Sequence, residues 1–96
     1  MLKVLAICGN GMGTSMIIKM KVQNYLNGKG ISADVDSCAL GEASGKLQGV
    51  HIALCSKHLA DQVYIKDGQH LLKLTNLMDE KEFGPALDTV IAENFS

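Results

Sequence analysis

Apolar and polar positions along the 96-residue chain fall into two alternating rhythms. Val4, Leu5, Ala6 and Ile7 form an unbroken apolar run closed by Cys8, the pattern of a short strand buried on both faces. Beyond it the period lengthens. Ile18, Val22, Tyr25 and Leu26 recur on one helical face, and this helix is predicted to open at Thr14 or Ser15 and to stop at Gly28, Lys29 and Gly30. Residues 31–37 read as a second strand, with Asp34 and Asp36 flanking Val35. A short helix over 41–47, a third strand over 50–55 and a helical turn over 59–63 follow. A fourth strand over 69–74 is expected after an Asp67-Gly68 turn. The last helix is expected to begin with Pro85 at its opening position, its apolar face carrying Leu87, Val90 and Ile91.

The strands differ in a way that orders them. The first and third are almost wholly apolar, as central parallel strands must be. The second carries two Asp and the fourth carries His70 and Lys73, which suits edges. Right-handed crossovers then favour an α/β fold, a four-stranded parallel sheet in the order 2-1-3-4 with helices on both faces. In such a Rossmann-like arrangement the functional crevice opens at the carboxyl ends of the strands, beside Cys8. Residues 37–42, 56–59 and 75–83 should rim the same opening. A chain this short hides only roughly 60 to 65% of its unfolded surface, so residues 1–96 are expected to form a single domain around one core.

Charge excludes more than it assigns. The net charge is -1, which leaves no basic stripe for nucleic acid or anionic lipid and no acidic tail. All nine cationic side chains are Lys, and Arg is absent. The apolar run before Cys8 is too brief for a signal peptide, and no stretch approaches a membrane span, so the expected location is cytoplasmic. Three cysteines, Cys8, Cys38 and Cys55, are odd in number and widely spaced, which favours reduced thiols.

The candidate chemistry lies in Cys8, Gly9, Asn10, Gly11, Met12, Gly13, Thr14 and Ser15. Three alternating glycines let successive N–H groups turn inward around a tetrahedral anion, and the following helix aims its positive end at the same spot. Such surroundings lower a thiol pKa from about 8.5 into the range of roughly 3.5 to 7.5. A phosphoryl group on Cys8 would then accept charge-assisted hydrogen bonds from the loop amides and from Thr14 or Ser15. A Walker A loop is excluded because no Lys precedes Thr14. A dinucleotide fingerprint fails on its displaced third glycine and on too few strands. A cysteine phosphatase loop places Arg six residues after its Cys. Here Thr14 holds that position, and without Arg the loop keeps the phosphatase shape while losing the clamp for hydrolysis.

The segment from Ile7 to Ser15 resembles the enzyme IIB components of the bacterial phosphoenolpyruvate-dependent sugar phosphotransferase system, whose phosphatase-like loops carry Ser or Thr in place of Arg. Residues 16–22, Ser37-Cys38-Ala39 with Gly41-Glu42, and Phe83-Gly84-Pro85 are most similar to the ascorbate-specific branch; galactitol and lactose-type branches share the cysteine loop. The resemblance implies one IIB domain over residues 1–96. It also implies that Cys8 accepts a phosphoryl group from a phosphohistidine of a cognate IIA protein and delivers it to a sugar, L-ascorbate, entering through a membrane IIC transporter. No cofactor, metal or nucleic acid is implied. The alternative reading is an Arg-free cysteine module for redox signalling or phosphate binding on a similar fold.

Other residues carry two readings each. His51 and Cys55 with His58 have a loose metal-ligand spacing, but both His51 and Cys55 fall in an expected buried strand, and no metal is assigned. His58 either rims the phosphoryl site or is an exposed loop residue. Cys38 either approaches Cys8 or is an inert thiol. Lys19 and Lys21 are either partner contacts or solvated helix charges. Met12, Met16 and Met20 recur at i, i+4 and i+8, and this row either covers the sheet or offers a soft apolar surface for docking.

Overall fold

A computed structural model describes residues 2–8, 12–75 and 79–94, without the side chains of residues 8, 12–15 and 44. Strands β1 (Leu2–Cys8), β2 (Ala33–Ala39), β3 (Ile52–Ser56) and β4 (His70–Leu74) form one parallel sheet in the order β2-β1-β3-β4. The order is the one expected from strand composition. β3 is buried over Ile52 to Cys55, whereas Asp34 and Asp36 of β2 are exposed between Ala33 and Val35.

Helices α1 (Met12–Gly28) and α3 (Glu80–Asn94) cover one face, where Val4, Ala6, Ile52 and Leu54 meet Ile18, Val22, Leu26, Phe83 and Leu87. The other face is covered by shorter pieces. Leu5, Ile7, Ala53 and Cys55 pack against Ala43 and Leu47, which flank or lie in α2 (Ala43–Lys46), and against Ala60 and Val63 around a 3-10 turn, Ala60–Gln62. The period-two alternation of β1 and β3 thus sorts their side chains into two apolar layers.

Local chemistry sets the element ends. α1 closes with a Schellman arrangement in which the Ile31 N–H donates to the Leu26 carbonyl (3.0 Å) and the Gly30 N–H to the Asn27 carbonyl (3.1 Å), with Gly30 at φ +75°. At the sheet edge, Gln23 of α1 acts as a rung of an absent strand. Its Nε2 donates to the Ala33 carbonyl at 2.9 Å, and its Oε1 accepts from the Val35 N–H at 3.1 Å. Backbone groups that would otherwise template another chain are thereby occupied.

The last helix corrects the sequence reading, since α3 starts at Glu80 and Pro85 lies inside it. Asp79 caps it, accepting from the Lys81 N–H at 3.0 Å through Oδ1. The earlier start places Phe83 and Gly84 in the core, and their burial outweighs the hydrogen bond that Pro85 cannot donate. Gly84 is the point of closest approach to α1. A Cβ there would stand 2.9 Å from the Tyr25 ring. That ring meets Phe83 edge-on at 5.8 Å, carries Lys29 Nζ at 5.4 Å from its centroid, and donates its hydroxyl to Asp88 Oδ2 at 2.7 Å.

Candidate functional site

All four strands run the same way, so their carboxyl ends share one edge of the molecule. Cys8 closes β1 in register with Ala39, the last residue of β2. On the other side Ile7 pairs with Cys55, so Cys8 and Ser56 each end their strand one residue beyond that pair, and Ser56 is in turn paired with Leu74. After β1 the chain enters α1 on one face; after β3 it turns to the Ala60–Gln62 segment on the other. This divergence between neighbouring strands is the topological switch point, where doubly wound sheets open a crevice.

Of the eight residues expected to cradle phosphate, Gly9, Asn10 and Gly11 lie outside the described residues. Cys8, Met12, Gly13, Thr14 and Ser15 are placed by their backbone alone. The helix opens at Met12, two residues before the expected Thr14, so residues 12–15 form its first turn. First-turn N–H groups have no partner within a helix, and the aligned peptide dipoles place roughly half a positive charge there. No acidic residue occupies that turn to neutralise it.

The expected rim residues separate clearly. Lys57 and His58 are exposed in the turn after β3, which is tied to the sheet by the Lys57 N–H donating to the Leu74 carbonyl at 2.9 Å. Sequence reading missed Glu82, whose Oε2 accepts from the Thr75 N–H at 2.7 Å and so joins the end of β4 to the first turn of α3. The spacing Asp79-x-x-Glu82 was the available signal. Cys38 is buried with Leu5 and Ile7 and pairs in register with Ile7, not Cys8. Cys55 is fully buried; burial pushes its thiol pKa up against the opposing charge of Lys73, which makes it a poor nucleophile. His51 lies outside β3, at its opposite end from Ser56, half-buried and accepting from the Lys3 N–H at 2.9 Å through Nδ1. Among the described residues no group of three His, Cys, Asp or Glu side chains is placed to hold a metal ion. Lys19 approaches Asp36 at 3.9 Å, an exposed pair worth at most about 1 kcal/mol. Met16 and Met20 do not cover the sheet: they are 65% and 61% exposed, with Ile17 between them also exposed.

The family model described as PTS system, lactose/cellobiose specific IIB subunit, matches residues 3–89. The chain belongs to that IIB family. Among curated proteins, the ascorbate-specific PTS system EIIB component of Escherichia coli O157:H7 is 40% identical over 93 residues, covering 97% of this chain and 92% of the relative. The component of the same name from Salmonella typhimurium shows the same identity and coverage, and that from Shigella flexneri is 39% identical over 93 residues. The IIB components of the phosphotransferase system are phosphotransferases of sugar uptake that work with IIA and IIC partners. Among the described residues, no helix is long and apolar enough to cross a membrane.

Proposed function

We propose that residues 1–96 act as one cytoplasmic IIB domain in which Cys8 carries the phosphoryl group, with Gly9, Asn10, Gly11, Met12, Gly13, Thr14 and Ser15 as its cradle. The observation that carries this reading is the position of Cys8 at the end of a central strand, four residues before the first residue of a long helix in a member of the IIB family. In the first step the sulfur attacks phosphorus, the S–P bond forms, and the N–P bond to a IIA histidine breaks. The imidazole takes the electron pair and the proton given up by the thiol. In the second step a sugar hydroxyl attacks the same phosphorus at the IIC transporter; the O–P bond forms as the S–P bond breaks, the sulfur leaves with the electron pair, and the proton given up by the hydroxyl returns the thiolate to the thiol. Loop amides, the Thr14 or Ser15 hydroxyl and the helix dipole stabilise the anion at each stage.

The names of the curated relatives support L-ascorbate as the sugar. Intact mass spectrometry after incubation with phosphorylated IIA tests the assignment. A gain of one phosphoryl group in the wild type that is absent in Cys8→Ser is the expected result; phosphorylation that persists in Cys8→Ser would overturn it. Uptake of labelled ascorbate, compared with galactitol and lactose, in cells carrying the matching IIC tests the sugar.

A further inference from the structure

The sheet register brings to the end of β1 a residue that the cysteine loop does not include. Ser56 closes β3 as Cys8 closes β1, one position beyond the Ile7 and Cys55 pair, and neighbouring strands stand about 4.8 Å apart. By strand alternation Ser56 falls in the set of Ile52 and Leu54, which face α1 and α3, while Ala53 and Cys55 face the opposite layer. It ends an otherwise buried apolar run and is itself only half-buried. Its backbone is fixed nonetheless: the Ser56 carbonyl accepts from the Leu59 N–H at 3.0 Å, and the next residue is tied to β4 through the Leu74 carbonyl. A small polar residue held on a rigid frame at the switch point is placed to meet an anion arriving at Cys8.

We infer that Ser56 is a further residue of the phosphoryl site, its hydroxyl donating a hydrogen bond to a phosphoryl oxygen while the group is bonded to, or in flight toward, Cys8. This inference rests on the phosphocysteine reading above. It gives the site a second wall: the first turn of α1 supplies backbone donors in the chain that follows β1, and the end of β3 supplies one from the neighbouring strand. With no Arg in the chain to span the oxyanion, separate neutral donors must share that task. The thiol proton and the electron pair move as already described; Ser56 neither gains nor loses a proton in the net step.

The test uses the full chain as wild type, Ser56→Ala and Ser56→Thr, with Cys8→Ser as the blank. Single-turnover transfer from phosphorylated IIA and the ³¹P chemical shift of the phosphocysteine are measured together, and thermal unfolding checks the fold. Ser56→Ala should slow transfer about tenfold to a hundredfold and move the ³¹P resonance, with an unfolding midpoint close to wild type. Ser56→Thr, which keeps the hydroxyl, should restore most of both. If the wild type is phosphorylated on Cys8 while Ser56→Ala matches it in rate and ³¹P shift, Ser56 is only a strand end. If Ser56→Ala slows transfer but leaves the shift unmoved, or if Ser56→Thr fails to restore either, the hydroxyl is not the active group. A wild type that takes up no phosphoryl group defeats the parent reading, and this inference with it.

Discussion

Gly84→Ala isolates the contact that seats α3 on α1. The new Cβ would lie 2.9 Å from Cε2 and Cζ of Tyr25 and 3.0 Å from its hydroxyl oxygen, closer than real Cβ atoms approach their neighbours. A ring end usually swings aside cheaply, but this one is pinned by Asp88 at 2.7 Å and wedged edge-on against Phe83. Overpacking of this kind costs about 1 to 3 kcal/mol, and release of the tyrosine from a carboxylate acceptor adds a cost of similar order. Ala offsets about 1 kcal/mol through its better helix propensity. The net expectation is a loss of about 1 to 5 kcal/mol, or a fall in Tm of roughly 4 °C or more for a domain of this size. A second readout is spectroscopic. Burial, then the Asp88 hydrogen bond and charge, then the charge of Glu80, push the Tyr25 pKa up to about 12. In a Tyr64→Phe background the tyrosinate absorbance reports Tyr25 alone, and Gly84→Ala should bring that pKa down toward the ordinary value of about 10. Because the fold holds the phenol protonated, its contribution is complete below about pH 10 and is lost as pH rises toward 12; the variant should show a smaller loss across that window. An unchanged or higher Tm with an unchanged Tyr25 titration would refute the reasoning.

Gln23→Leu should cost about 1 to 3 kcal/mol and speed hydrogen exchange at the Val35 amide, since it strips both partners from a half-buried strand edge; unchanged exchange there would count against the rung. Met16→Asp should leave Tm within about 1 °C of wild type yet slow phosphoryl transfer from IIA about tenfold or more, because a charge would be desolvated at the contact; normal transfer kinetics would remove Met16 from the docking surface. Phosphorylated Cys8 should resist water, as no Arg clamp assists hydrolysis, so rapid multiple-turnover release from p-nitrophenyl phosphate that is lost in Cys8→Ser would revive the phosphatase reading.

Strand order was readable because burial on two faces leaves a different residue pattern from burial on one, and residues 4–7 and 52–55 differ from residues 33–37 in just that respect. The end of α1 was readable because Gly30 supplies a local conformation. The start of α3 was not. Pro85 is a strong local signal for an opening turn, and it was overruled by the burial of Phe83 and Gly84 against a residue some sixty positions away. Gln23 looks like any polar residue on a helix until the edge strand it satisfies is in place. The position of Cys8 could be anticipated from the break in its apolar run, whereas the adjacency of Ser56 exists only once β1 and β3 are in register.

The anchoring of α1 is uneven along its length. Its hydrogen bonds from Gln23 to β2 and from Tyr25 to Asp88, and its Schellman close, lie in its last third, while nearer the end that follows Cys8 Met16, Ile17 and Met20 face solvent and Lys19 makes an exposed ion pair with Asp36. Met16 and Tyr25 are nine positions apart, a lever arm of about 13 Å. A partner that bears on the near end works against a fulcrum at the far end, with Ile18 and Val22 as the bearing between them. Substitutions at Gln23, Tyr25 or Gly84 would then tilt the exposed surface at Met16 and Met20 and read as recognition defects, although these residues lie up to several turns away from it.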